Sequence, residues 1–275
     1  MLKDITLGQF FPGNSLLHKL DARFKIVLML AFVILVFFAK NLISFSYLLL
    51  LVVLMALFSK ISLKVLLQGL KPIIMISVFT AIINLFWTTG DSLVFELGFI
   101  RIYSEGIWRA VFMMIRIISL VMGTSILLTY TTSPMDLTDA LEMLLSPLKK
   151  IHVPVHEFSM MMSLALRFVP TLIEETEKII NAQKARGADF ESGNLFSRAK
   201  ALIPILIPLF ISSFSRATDL AVAMECRCYV GGEGRTRMHV MKFTGRDVLV
   251  LFMFLALFAV IPLLSLVSLP FGALL

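Results

Sequence analysis

Charge is scarce in this chain of 275 residues. Asp, Glu, Lys and Arg make up only 16% of it, and hydrophobic residues make up 59%. An average soluble domain carries about 25% charged residues. The mean hydropathy is +0.93. A water-bathed domain of this length has too little interior to hide so much apolar side chain, which excludes an ordinary soluble enzyme. The 24 Phe and 16 Met exclude disorder. Cysteine is almost missing: Cys226 and Cys228 stand one residue apart. They cannot staple a fold, two thiols alone make a poor metal site, and the spacing is wrong for Cys-x-x-Cys redox chemistry. No dense basic run accompanies the net charge of +7, so a nucleic-acid footprint is excluded and the charge is a topology signal first. Residues 1–20 hold Lys3, Asp4, His18, Lys19 and turn formers, with no apolar core before a cleavage site, so no signal peptide is expected.

What is present is a polytopic membrane protein. Five runs approach the roughly 20 apolar residues needed to cross a bilayer: Phe24–Ala39, Leu42–Phe58, Pro72–Thr88, Ile107–Thr129 and Val248–Val267. Pro72 suits the first turn of its helix. Lysine and arginine set the orientation. Lys3, Lys19, Arg23 and Lys25 precede the first span, and Lys60, Lys64 and Lys71 separate the second from the third. Fourteen basic residues lie between the fourth and the fifth. The opposite side receives Lys40, then Asp91, Glu96, Arg101 and Glu105, then an uncharged tail. This pattern predicts a cytoplasmic N-terminus and an outer C-terminus. Four regions follow: a cytoplasmic segment 1–23, transmembrane helices 24–130, a cytoplasmic block 131–245, and a final span with outer tail 246–275.

The block between spans four and five is too long to be an idle loop. Met160–Val169 and Ala201–Phe214 are apolar but short, and the second carries Pro204 and Pro208. They are expected to be amphipathic helices at the inner membrane face; the rival reading is an extra hairpin of two short spans, seven in all. Leu164–Ala185 keeps Leu164, Phe168, Leu172 and Ile179 near one face, while Glu174, Glu175, Glu177 and Lys178 are polar. Lys184 and Arg186 suit its C-terminal dipole, and Gly187 its cap. A second helix, roughly Ile211–Tyr229, ends with Arg227 and then Gly231 and Gly232. An offset of 41 aligns Arg186 with Arg227, Ala182 with Ala223, and Ala185-Arg186-Gly187 with Cys226-Arg227-Cys228. Each copy sets an arginine between small residues near a helix end, leaving a planar, always-charged guanidinium free to enter a groove and pair bidentately with carboxylates. One copy alone reads as a favourable helix C-terminus; two in one block suggest paired docking motifs.

Several stretches carry a likeness over nearly the whole chain: Gly8-Gln9-Phe10, then Leu17 to Lys25, Thr131-Thr132-Ser133-Pro134, Leu164 to Pro170, Ala182 to Asp189, Ala221 to Tyr229, and Gly231 to Thr236. Their order and spacing resemble the T component (EcfT/CbiQ-like transmembrane coupling subunit) of energy-coupling factor (ECF) transporters. The resemblance implies an all-α membrane fold whose two arginine motifs cap two crossed coupling helices, each docking on one of two ABC-type ATPase subunits. Arg186, with Ala185 and Gly187, and Arg227, with Cys226 and Cys228, inherit those roles; the second motif departs from Ala-Arg-Gly at both flanks. The implied partners are the two ATPases and a small membrane-embedded substrate-binding (S) subunit, in the lipid bilayer of a bacterial cell membrane. This chain itself would bind no cofactor, with ATP and magnesium held by the ATPases. The Gly-Gly-Glu-Gly-Arg-Thr tail resembles the shared, multi-substrate group.

Other features carry weaker readings. Gly231 to Thr236 lacks the Lys and the spacing of a phosphate loop and follows a helix, so a flexible helix exit is the better reading. His152 and His156 are four apart, but Pro154 between them argues against a metal face. Arg116 lies about nine residues into span four, where burial is costly. It either contacts the substrate-binding subunit, finds an internal polar partner, or snorkels outward with Arg109. Met160, Met161 and Met162 form a soft apolar surface for the substrate-binding subunit or for ordinary packing. An autonomous secondary transporter or channel is the main alternative function. It needs polar groups at mid-membrane, where the spans offer little beyond Arg116 and Asn84. An intramembrane enzyme needs a nucleophile with a base, or a set of metal ligands. No acid stands in the spans, and His18, His152, His156 and His239 all lie outside them.

Overall fold

A computed structural model describes residues 10–89, 93–97, 100–188, 190, 194–232 and 244–266. Lys3, Asp4, Gly8, Gln9, Asp91, Asp189, the stretch Glu233 to Thr236, His239 and the tail beyond residue 266 therefore lie outside the described residues. The fold is all-α, with one small hairpin that hydropathy did not foretell. The chain divides into two compact units, Gly8–Leu137 with Val240–Leu275, and Thr138–His239.

In the first unit a turn, α1 (Leu16–Lys19), leads to α2 (Ala22–Val36), α3 (Leu42–Ser59) and α4 (Leu63–Trp87). The hairpin β1 (Leu93–Leu97) and β2 (Ile100–Tyr103) follows, antiparallel, with Glu96 opposite Arg101 and Leu97 opposite Ile100. Its sequence signal is Gly98 between two short runs rich in Val, Ile and aromatics. Then come α5 (Ser104–Thr124), prolonged by a π-helical turn Ser125–Thr129, and α9 (Gly245–Ser265). Polar residues punctuate these helices. The Asp21 carboxylate caps α2 by accepting from the Arg23 N–H at 2.9 Å and pairs with its guanidinium at 2.6 Å. Burial pulls that carboxyl upward, but the bonds and charge of Arg23, with the charge of Lys25, outweigh it and hold it below its ordinary value. Asn41 with Ser44, and Thr244 with Asp247, form capping boxes that open α3 and α9.

Among the described residues five helical stretches are long and apolar enough to cross a membrane: Leu42–Ser59, Lys64–Trp87, Ser104–Thr129, Lys200–Cys226 and Gly245–Ser265. Five were expected, but the membership differs. The expected first span, Phe24–Ala39, is the 15-residue α2, about 22 Å long and short of the roughly 30 Å hydrocarbon core. Pro72 does not open the third span; it lies inside α4. A proline there removes one backbone bond, which neighbouring turns tolerate in a membrane helix.

The core of this unit is made where α2, α3, α5 and α9 meet. Phe32 packs on Phe258 with ring centroids 5.4 Å apart, and Phe45 stacks on Phe112 at 4.8 Å. Leu28, Leu48, Met55, Ile126, Leu127 and Ile261 are fully enclosed around them. Gly123 is needed here: a Cβ on it would lie 2.2 Å from the Phe32 ring. Apolar side chains also cover the outside, among them Leu50, Val53 and Leu57 of α3, as expected where lipid replaces water. Polar bonds tie the helices together. Tyr47 Oη donates to Leu257 O at 2.9 Å, and Asn41 Nδ2 to Ser265 O at 3.1 Å. Lys25, which the sequence offered only as a topology charge, is buried; its Nζ donates to Thr131 O at 2.7 Å and His18 O at 3.3 Å.

The second unit holds most of α6 (Pro134–Leu144), a 3-10 turn Ser146–Ile151, α7 (Val155–Ala185) and α8 (Leu195–Cys226). Both long helices exceed expectation. Met160–Val169 and Leu164–Ala185 are one helix of 31 residues that carries Pro170 within it. Likewise Ala201–Phe214, expected to be short and in-plane, runs on with Ile211–Tyr229 as a 32-residue helix containing Pro204 and Pro208. The prolines do not end it: each removes one backbone bond, and good helix formers such as Leu206 and Leu209 flank them and carry the helix on.

Candidate functional site

The two arginine motifs end the two long helices of the second unit, and they end them alike. Arg186 is the C-cap of α7, and Gly187 after it is left-handed with φ 87°. The Gly187 N–H donates to Lys184 O at 3.0 Å, and the Ala188 N–H to Gln183 O at 3.0 Å. In the second motif Cys228 is left-handed with φ 56°. Its N–H donates to Glu225 O at 2.8 Å, and the Tyr229 N–H to Met224 O at 3.1 Å. Both are Schellman caps, matched residue for residue at the offset of 41 read in the sequence. Gly187 is glycine for its backbone alone, since an added Cβ would meet nothing within 4 Å. Cys228 takes the same conformation against its own Cβ, which normally disfavours it.

Ala185, Arg186 and Gly187 are exposed, as are Cys226, Arg227 and Cys228. Small flanks leave each guanidinium clear. Arginine at a helix end also answers the negative end of the dipole, so its presence costs the fold nothing while its charge stays available. Both cysteines are free thiols at the surface.

Packing sets the two motifs apart. The Arg216 guanidinium on α8 pairs with the Glu175 carboxylate on α7. Gln183 Nε2 donates to Pro204 O at 3.5 Å, a long contact at the limit of a bond. Advancing along α7 thus means retreating along α8, so the helices are antiparallel. Arg186 and Arg227 therefore stand at opposite ends of the pair. The exit from α8 is packed against the start of α7: a Cβ on Gly232 would lie 2.4 Å from the His156 ring. His156 Nδ1 in turn donates to Glu142 Oε1 of α6 at 3.0 Å.

The remaining candidates fall elsewhere. Met161 and Met162 are exposed on α7, and Met160 is half-buried beside them. Arg116 belongs to the other unit, where its Nη2 donates to Ala39 O at 2.8 Å and its guanidinium lies 5.4 Å from the Phe45 ring centroid. Of the readings open to it, an internal polar partner is the one with a geometry; the partner is a backbone carbonyl, which no search for acids in the sequence could find. His152 ends the 3-10 turn in the left-handed region, φ 61°, while His156 is in α7, so Pro154 does separate them. Among the described residues no three His, Cys, Asp or Glu side chains gather as a metal site requires. The Glu175–Arg216 pair was missed from sequence, although its separation of 41 residues equals the repeat offset.

Comparison with known proteins shows the family. A family described as CbiQ, cobalt transport protein, matches residues 13–240. The energy-coupling factor transporter transmembrane protein EcfT of Ruminiclostridium cellulolyticum is 54% identical over 250 residues, covering 91% of this chain and 93% of that one. EcfT of Clostridium kluyveri is 50% identical over 248 residues, 90% and 92% of the two chains. EcfT of Bacillus subtilis is 43% identical over 261 residues, 95% and 98%. With identity this high along almost the full length of both partners, the chain belongs to the CbiQ family of energy-coupling factor transporter transmembrane proteins.

Proposed function

We propose that this chain is the non-catalytic scaffold of an ATP-driven importer, transmitting ATP hydrolysis by two partner ATPases to a small membrane-embedded substrate-binding subunit. The observation that carries this reading is the matched pair of Schellman caps, each presenting an exposed arginine, at opposite ends of two antiparallel helices. Two like sockets on two ATPase copies call for two like plugs, set apart and pointing away from each other. Arg186 and Arg227 supply the charge for bidentate pairing with carboxylates in each groove. Their small flanks allow close approach. The exposed Met161 and Met162 offer the adaptable apolar contact that a substrate-binding subunit needs.

In this scheme ATP and magnesium are bound and turned over on the ATPases, and this chain holds no cofactor. ATP-driven closure of the ATPase pair moves the ends of α7 and α8. That motion tilts or releases the substrate-binding subunit, which selects a vitamin or a metal ion. The N-terminus and the coupling block are cytoplasmic and the C-terminus is outside, in a bacterial plasma membrane.

The test is co-purification from gently solubilised membranes, with Arg186→Glu, Arg227→Glu beside the wild type. The wild type should bring down two ATPase subunits and small membrane proteins, and the double variant should lose the ATPases by at least tenfold. Equal recovery of ATPases with both would overturn the reading. So would a wild-type chain that moves a solute across liposomes with no ATPase present, the behaviour of an autonomous transporter.

A further inference from the structure

The repeat offset and the helix crossing coincide. Arg186 and Arg227 are equivalent positions of the repeat, 41 residues apart. Glu175 and Arg216, which touch each other, are also 41 residues apart. The ion pair between α7 and α8 is thus made by the two copies of a single repeat position. When two like helices cross about a two-fold axis, equivalent residues meet each other only on that axis. Arg186 lies eleven residues beyond Glu175, and Arg227 eleven beyond Arg216. At 1.5 Å per residue each docking arginine stands about 16 Å from this ion pair along its own helix.

We infer that the Glu175–Arg216 pair is the pivot of the coupling helices, the point that holds the two docking arginines equidistant while the helix ends move; this rests on the docking reading proposed above. The charges themselves support the assignment. Like residues at such a meeting point would repel, or would leave a polar position idle; here the two copies have diverged to opposite charge. The Arg216 Nε also donates to Ser212 Oγ at 3.4 Å, one turn back on its own helix, which aims the guanidinium toward α7. The pair is half-exposed, at 39% for Arg216 and 26% for Glu175. Pairs of that exposure add little to folding stability. An ion pair can slide and rotate without the steric gating of interlocked apolar side chains, so a pivot suits the site better than a weld. Glu175 and Arg216 are positioning residues: they touch no ATPase in this scheme and act through where they hold Arg186 and Arg227.

The test measures that spacing directly. Lys184 and Glu225 are exposed and equivalent under the same offset. Spin labels at Lys184→Cys and Glu225→Cys, with Cys226→Ser and Cys228→Gly, report the separation of the helix ends by electron double resonance on the full-length chain in nanodiscs. The parent should give one narrow distance distribution. Glu175→Gln and Arg216→Gln should each at least double its width, and the exchange Glu175→Arg, Arg216→Glu should restore it. Neutral variants as narrow as the parent, or an exchange that fails to restore the width, would overturn the pivot. Unlabelled chains with native cysteines, co-expressed with the ATPases, separate the two levels. A wild type that retains no ATPase overturns the docking reading and the pivot's role with it. Unmoved distances in a protein whose wild type does retain them overturn the pivot alone.

Discussion

Cys228 and Gly187 occupy the same place in the two caps, yet only one of them suits it. A side chain in the left-handed region costs about 1–2 kcal/mol, while replacing it by glycine costs about 0.5–1 kcal/mol in extra freedom of the unfolded chain. The first effect wins. Cys228→Gly should therefore raise stability by about 0.5–1 kcal/mol, read as a higher thermal midpoint in detergent, with ATPase recovery retained. A lower midpoint would mean that the thiol makes a contact that the exposed position does not suggest. Single residues also show where sequence reading stops. Arg186 and Arg227 were legible because the repeat set them between small neighbours. Lys25 counts in the sequence only as a topology charge, yet it is buried on carbonyls of His18 and Thr131, since nothing in a lysine's local sequence tells which distant carbonyl will receive it.

Among the elements, α5 carries the tightest demand. Gly123 faces Phe32 so closely that a Cβ would stand 2.2 Å from the ring, and a rigid aromatic wedged among Phe258 and its neighbours cannot swing away. Gly123→Val should cost about 1–3 kcal/mol by overpacking, seen as a lowered thermal midpoint, and Phe32→Ala in the same chain should recover part of the loss. An unchanged midpoint in Gly123→Val would show that α2 and α5 can separate there. Hydropathy placed α3, α5 and α9 well, the last in spite of Pro262 within it. It erred at α2, which is too short to span, and in the block, where Pro170, Pro204 and Pro208 divided α7 and α8 on paper. A proline deletes one bond and crowds one turn, and a helix with enough good formers on either side continues past it.

For the whole molecule, orientation is the property most open to a direct check. The loop lysines and arginines predict that the block with Arg186 and Arg227 is cytoplasmic. The native Cys226 and Cys228 are exposed free thiols and are the only cysteines of the chain, so they report on that block without added substitutions. A membrane-impermeant maleimide should label them in inside-out vesicles at least tenfold more than in intact cells. Labelling of intact cells to the same extent would invert the topology and remove the ATPase docking reading, because ATPases of the cytoplasm could not reach the motifs.

Composition pointed to a membrane, with 59% hydrophobic residues, and apolar runs near 20 residues long pointed to helices. Basic residues in the loops determined the expected orientation, and the repeat determined which two arginines to watch. Those properties depend on local composition and spacing, which a sequence displays. Tertiary structure decided the rest. It made the two arginine motifs superposable caps, sent them to opposite ends of an antiparallel pair, gave Arg116 a carbonyl for a partner, and set Glu175 against Arg216. Each of these depends on two segments far apart in the chain meeting at a particular register, and register is chosen by the packing of whole helices rather than by the residues that then touch.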